Sequence, residues 1–494
     1  MAFVPIVVAQ PILPDLWLHA ATIDRLRRDF FTPQDPMVDV PGRGNPYFSP
    51  YMVFWAAIGL ITQLGTFTLL KISSFINLAV LLIGIGLFTR SQSRRPAAAV
   101  WALAALLVLW GLTFQYWSGF VTLPTLVVGT AYPSTFAVGL ALIVWAQVLA
   151  LLRGPDGGEY WWTRWLLIAV LAWLILLTHQ FTALGAAIAC LFFLIDERRR
   201  VTRQKLLGAG LVVLVVTVLA LAWPWFSVFT SGSGADVFNE LHEQLYEDWP
   251  ARYGLLLVTG LPVMIHRLRR NRTDPLALTA LVCTAVTIIG SASGQYFLSR
   301  ALPTAAIMVQ IAVGVVIASW LGNLAVDRWR RLWAAVCVLA LVLGGLGQSG
   351  VINLLAPGRY PEALDERFDS RTPSGKETWL VGTLQPGDVV MTQTWDVMVM
   401  IPAFGYSTVR PAWPDPFLRH RAEARKHDTE TFFDPDSSDA QRRTIAERYD
   451  IDWVLVDSTD FTAVRDLPEL DLVDRRTDHQ DPDRPERYLL RYTR

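Results

Sequence analysis

The run Leu206-Leu-Gly-Ala-Gly-Leu-Val-Val-Leu-Val-Val-Thr-Val-Leu-Ala-Leu-Ala-Trp-Pro-Trp-Phe226 carries no charged side chain and follows directly on Arg198-Arg-Arg-Val-Thr-Arg203-Gln-Lys205. The hydrocarbon core of a bilayer takes about 20 helical residues, so this run is long enough to cross it. Clustered Lys and Arg beside a span stay in the cytoplasm, which sets the orientation of the run. Outward from here the pattern repeats. Further apolar runs occupy Ser73 to Thr89, Ala97 to Phe114, Pro133 to Leu152, Trp161 to Thr178, Thr182 to Ile195, Tyr253 to Ile265, Pro275 to Gly290, Pro303 to Leu321 and Leu332 to Leu346. Basic linkers (Arg90 with Arg94 and Arg95, Arg153 with Arg164, Arg267 to Arg272, Arg328 with Arg330 and Arg331) alternate with linkers free of Lys and Arg. The latter are Gln115 to Tyr132, His179-Gln180, Phe229 to Ala251 and Ser291 to Ser299. The alternation puts the basic set in the cytoplasm and the others outside.

Composition agrees: 53% of residues are hydrophobic and 17% charged, against about 25% charged in a soluble domain. A net charge of zero by itself says nothing about nucleic acid or acidic partners; no nucleic-acid partner is expected. Cys190, Cys283 and Cys337 lie inside apolar runs, without zinc or disulfide spacing, and read as small buried hydrophobes.

Met1 to Pro14 is apolar but interrupted by Pro5, Pro11 and Pro14, too short for a span and without the basic start of a signal peptide. Next comes Asp15-Leu-Trp-Leu-His19-Ala-Ala-Thr-Ile-Asp24, with Leu16, Ala20, Ile23 and Leu26 at helical spacing. Asp15 and His19 therefore share one helix face, one turn apart. An Asp there also serves as an ordinary cap. After the turn formers Gly42 to Pro50, Tyr51 to Leu70 reads as a helix at the outer interface, joined tightly through Lys71-Ile72 to the span at Ser73. From about Asn353 the chain turns charged and Pro-rich. Gly387 to Thr392, Asp452 to Asp457 and Arg487 to Tyr492 read as strands, and Trp395 to Ala403 and Ser438 to Tyr449 as helices. The expected division is 1–352, a membrane module with its first outer loop at 14–50, and 353–494, a small extracytoplasmic α/β domain.

The Asp15 helix, the Phe-Thr-Pro-Gln-Asp35-Pro turn, the Pro46-Tyr-Phe-Ser-Pro50 entry to an apolar helix, the many spans and the outward C-terminal domain together resemble the C superfamily of glycosyltransferases (GT-C). Leu177-Thr-His179-Gln180 resembles the junction of a His after a span in bacterial and archaeal members, and Asp388 to Arg410 the outer domain some carry. The chain departs from the family in its stunted first span. The resemblance implies a mostly α, polytopic bundle of about 11 spans. It also implies a plasma-membrane enzyme that takes a sugar from a polyprenyl-phosphate donor and passes it to a glycan, lipid or protein acceptor outside the cell.

Such a reaction passes through an oxocarbenium-like transition state, and the acceptor hydroxyl must lose a proton as it attacks, inverting the anomeric centre. Asp15 is the candidate base. The departing phosphate needs a fixed cation. Arg300 sits where the charge pattern calls for no Arg, and Tyr296, four residues earlier, is placed as a second donor to the same phosphate. His179, alone in the shortest outer linker, is a catalytic candidate from the resemblance. His19 has three readings: orienting Asp15, joining it on a metal, or binding a sugar hydroxyl. Some relatives use a divalent ion at this loop, but no third ligand is evident here, so no metal or other cofactor is expected. A transporter or flippase of lipid-linked glycans is the alternative. Scarce ionisable residues within the spans and the lack of matched broken helices speak against it.

Overall fold

The computed structural model describes residues 14–42, 44–113, 115–158, 160–231, 238–321, 323, 325, 327–352, 378–413, 415, 418, 420–477 and 486–493. The chain is mostly helical. Seven of the described helices are long and apolar enough to cross a membrane: Thr66–Gln92, Pro133–Arg153, Trp161–Thr178, Arg203–Leu221, Pro275–Ser293, Tyr296–Trp320 and Arg328–Gly347. Shorter apolar helices cover Pro50–Thr62, Ala97–Val108 and Gln180–Asp196. Against the expected count of about 11 spans, seven of the described helices have spanning length. Contacts divide the chain into two units, one containing 70–224 and 238–373, the other 12–69, 225–237 and 374–494.

In the first unit the Pro133–Arg153 and Leu302–Trp320 helices are the most deeply buried. Lipid supplies no hydrophobic drive between helices, so contact depends on backbones approaching closely at small residues. Gly84 and Gly139 provide one crossing: a Cβ on Gly84 would stand 2.5 Å from the Gly139 carbonyl oxygen, and one on Gly139 2.8 Å from Leu81 N. Polar side chains within the bundle tie up loose backbone. Gln310 Nε2 donates to Leu109 O at 2.9 Å, just where the Ala97–Val108 helix stops. That helix is shorter than the apolar run to Phe114, because burial of an end is tolerated once a side chain satisfies its carbonyls. Lys205, read as one of the basic cluster, is buried; its ammonium caps the end of the Pro133–Arg153 helix through Leu152 O and Gly154 O, both at 3.0 Å.

The break between the first two apolar runs also falls elsewhere than expected. Thr66–Gln92 runs continuously through Lys71-Ile72. The turn lies at Gln63, whose left-handed backbone (φ 56°, ψ 17°) closes the Pro50–Thr62 helix with its N–H on Gly59 O. A non-glycine residue there ends the helix as a C-terminal cap does.

The second unit joins the first outer loop to the C-terminal segment. The reason is Arg25, 2% exposed on the Pro14–Arg28 helix. Its guanidinium donates to Tyr406 O and Ser407 Oγ, both at 2.8 Å. The loop itself is fixed by Asp35, whose Oδ1 accepts from Met37 N and Val38 N. Asn45 Nδ2 donates to Asp35 Oδ2 at 2.8 Å and to Asp415 Oδ2 at 3.2 Å. Burial pushes the Asp35 carboxyl up from its ordinary range. A five-stranded sheet has the order β2-β1-β3-β5-β4: β1 Val389–Met391, β2 Ser407–Thr408, β3 Trp453–Asp457, β4 Leu470–Arg476, β5 Arg487–Tyr492. β1 pairs parallel with β2 and β3, and β5 runs antiparallel between β3 and β4. The apolar middles of β1, β3 and β5 are buried, while edge strand β4 alternates charge with solvent and carries a bulge at Leu472/Asp474. Charge and a bulge protect an edge from further pairing.

Candidate functional site

His179 opens the Gln180–Asp196 helix as its N-cap, in extended conformation (φ −154°, ψ 90°). Its Nδ1 lies 2.7 Å from Thr182 Oγ1 and 3.3 Å from Thr182 N. On the other side, Nε2 is 3.1 Å from Arg300 Nη2. A guanidinium has no acceptor, so Nε2 must present its lone pair to Arg300. The proton is then on Nδ1 and goes to the Thr182 hydroxyl at 2.7 Å, so the Thr182 N–H at 3.3 Å, placed to donate to that nitrogen, cannot do so in this tautomer. Burial first, and the Arg300 charge second, pull the His179 pKa down to about 3, so the imidazole is neutral at any physiological pH.

Arg300 is 7% exposed and sits in the 3-10 turn Tyr296–Ala301, immediately before the Leu302–Trp320 helix. Its Cζ stands 5.0 Å from the centre of the Phe181 ring, a cation–π contact. Gly119 closes the other side. Its φ of +88° suits glycine, and a Cβ there would meet His179 Cε1 at 3.3 Å and Arg300 Nη2 at 3.7 Å. A crevice is lined by Gly119, His179, Thr182, Arg300 and Thr304, with Trp145 and Ile307 on an apolar wall. A fixed cation beside an apolar wall suits an oxyanion attached to a hydrocarbon.

Two of the residues singled out from the sequence, His179 and Arg300, are thus brought into contact. Tyr296 is not directed with them. Its ring packs 5.5 Å from Tyr246 and its hydroxyl hydrogen-bonds Glu243. The turn is 3-10, with three residues per turn, so positions four apart fall about a third of a turn out of line rather than stacking as on an α-helix. Asp15 and His19 belong to the other unit, in the first turns of the Pro14–Arg28 helix. His19 is buried beside Tyr47, and burial lowers its pKa to about 3. Among the described residues no three His, Cys, Asp or Glu side chains are grouped to hold a metal ion.

Sequence reasoning missed Phe181, Thr182, Gly119 and His242. His242 is 5% exposed, with its ring 6.1 Å from Phe181 and 6.0 Å from Trp117. The aromatic residues flanking the bare outer linkers were the available signal: Trp117 and Phe120 around Gly119, and Phe181 after His179.

No protein-family model and no curated protein sequence matches the chain. Solved structures do. The mycobacterial arabinofuranosyltransferase AftD superposes with a TM-score of 0.61 at 14% identity, over 99% of this chain and 39% of that one. ArnT from Cupriavidus metallidurans, bound to undecaprenyl phosphate, gives 0.57 at 15% identity, over 99% and 96%. The Archaeoglobus fulgidus oligosaccharyltransferase gives 0.53 at 13%, over 93% and 68%. At these identities the likeness concerns the fold, and on that ground the chain, an integral membrane protein, has the fold of the GT-C glycosyltransferases.

Proposed function

We propose that the chain is a membrane glycosyltransferase that moves a sugar from a polyprenyl-phosphate donor to an acceptor outside the cytoplasm. The observation that carries this reading is the contact of Arg300 with a neutral His179 beside an apolar wall. A neutral imidazole lone pair holds one guanidinium arm without cancelling its charge. A guanidinium whose charge is left uncancelled by its partner suits a phosphoryl oxygen. That ArnT is seen with undecaprenyl phosphate supports a lipid phosphate as the anion.

In the reaction, the phosphate of the donor is held by Arg300, and Asp15 accepts the proton of the acceptor hydroxyl as its oxygen attacks the anomeric carbon. The bond from that carbon to the phosphate oxygen breaks with its electron pair on the phosphate, and the configuration inverts. His179 positions Arg300 through Nε2, and Thr182 fixes the tautomer.

Transfer from defined polyprenyl-phosphate sugars, in membranes carrying wild type, Asp15→Asn or Arg300→Ala, tests the reading. Loss of turnover in Asp15→Asn with donor affinity kept, and loss of donor affinity in Arg300→Ala, are the expected results. Full turnover in Asp15→Asn removes the base, and unchanged donor affinity in Arg300→Ala removes the phosphate site.

A further inference from the structure

His242 lies on the short helix Asn239–Glu243 of an outer linker. Its imidazole is enclosed by Trp117, Phe181 and Phe238 at ring distances of 6.0, 6.1 and 6.3 Å. The helix is latched to the segment that carries Arg300: Asn239 Nδ2 donates to Gly294 O at 2.5 Å, and Asn239 Oδ1 accepts from Phe297 N at 3.2 Å. Arg300 and His242 therefore approach the same Phe181 ring from elements tied together. His242 Nδ1 is buried with no well-formed hydrogen bond among the described residues, its one polar neighbour being the Phe238 backbone. Polar atoms in that situation are costly unless something satisfies them.

The chemistry of the proposed reaction supplies a need for such a group. The donor is a phosphodiester with one negative charge. Once its sugar has left, the lipid is a phosphomonoester with a second pKa near 6, close to a dianion at neutral pH. Arg300 balances one of those charges. We infer that His242 is a second phosphate-site residue, which takes a proton from solvent when the lipid phosphomonoester is held against Arg300, so that the site charge rises with that of the leaving group. The inference rests on the transferase reading. In the free protein, burial and then Arg300 hold the His242 pKa down to about 3, while the Phe238 carbonyl favours the charged form. A bound dianion outweighs the Arg300 charge and reverses its sign of influence. The charged group that acts on His242 is Arg300 from the 3-10 turn; Glu240 and Glu243 share its short helix. Glu243 is hydrogen-bonded to Tyr296.

Calorimetry of citronellyl phosphate binding to the full chain in nanodiscs at pH 8, in two buffers of different ionisation enthalpy, counts the protons taken up. At pH 8 the free ligand is a dianion. Wild type should take up about one proton, and the 31P shift of the bound ligand should remain that of a dianion. His242→Gln should take up about none and bind about tenfold more weakly. No uptake by wild type, or a bound ligand that has itself become a monoanion, overturns the inference without any variant. Equal uptake in His242→Gln overturns it as well. If wild type binds citronellyl phosphate no better than citronellol, the transferase reading itself falls, which is a separate outcome.

Discussion

The contact between His179 and Arg300 allows a quantitative test. The bond is 3.1 Å long, its donor is charged, and Arg300 is 7% exposed. Hydrogen bonds of this kind contribute about 1.5 to 3 kcal/mol net. His179→Phe keeps the ring volume and removes both nitrogens, so the guanidinium loses its lateral hold while its charge remains. Affinity for a short-chain polyprenyl phosphate should fall by about tenfold to a hundredfold, at 1.4 kcal/mol per decade. Arg300→Lys keeps the charge but gives up the planar fork and the stack on Phe181, with a loss of similar size. If His179 works through Arg300, the double variant loses no more than Arg300→Lys alone, and the cycle shows a coupling of about 1.5 kcal/mol or more. Titration calorimetry in nanodiscs measures all four corners. Losses that add to within about 0.5 kcal/mol would refute the positioning role. Because the His179 pKa is held near 3, its contribution should also be flat from pH 5 to 8. A midpoint near 6.5 that vanishes in His179→Phe would contradict the tautomer assigned here.

Other perturbations reach different parts of the chain. His19 has a folded pKa of about 3, below its unfolded value, so the unfolded chain binds the extra proton. Its stabilisation is complete above pH 6.5 and declines as pH falls toward 3, by up to about 1.4 kcal/mol per pH unit. Thermal unfolding between pH 7 and 5 should show a shallower decline in His19→Gln. Arg25→Met leaves the buried Tyr406 carbonyl and Ser407 hydroxyl without their donor. A loss of about 3 kcal/mol or more should expose the Pro14–Arg28 helix to limited proteolysis, whereas Ser407→Ala costs about 1 kcal/mol. Gly139→Val drives methyls into the Leu81 backbone, where a Cβ already stands at 2.8 Å. Since backbone cannot yield as a side chain does, the folded, monodisperse fraction on size exclusion should fall sharply. Gly119→Val adds both a strained positive φ and bulk beside His179 and Arg300, and should abolish lipid-phosphate binding while the membrane helices remain intact by circular dichroism.

What the sequence disclosed, and what it hid, follows from the range of each interaction. Spans are legible because they need only local apolarity, and the strands β1, β3 and β5 because burial on both faces leaves their middles apolar. β4 and β2 escaped notice: the first interrupts its apolar residues with Asp471, Asp474, Arg475 and Arg476, the second is only two residues long. The pairing of the first loop with the C-terminal segment was hidden for a different reason. It depends on contacts between residues some 370 to 382 positions apart, among them Arg25 on two carbonyls and a hydroxyl, Thr408 on Met37 O and Asn45 on Asp415, and no local pattern encodes such meetings. Arg300 was legible as a charge out of place, and His179 as a lone polar group between two apolar runs. Tyr296 lies out of line with Arg300 because an i, i+4 rule presumes α-helix, and the turn into the Leu302–Trp320 helix, with Pro303 in its first turn, tightens to 3-10. His242 lay in a run of acidic residues that reads as a solvated face. The ring that makes it part of the site, Phe181, is 61 positions away by number. A membrane site of this kind therefore announces its charges in the sequence but conceals the aromatic residues that orient them, and those aromatics decide which charges act together.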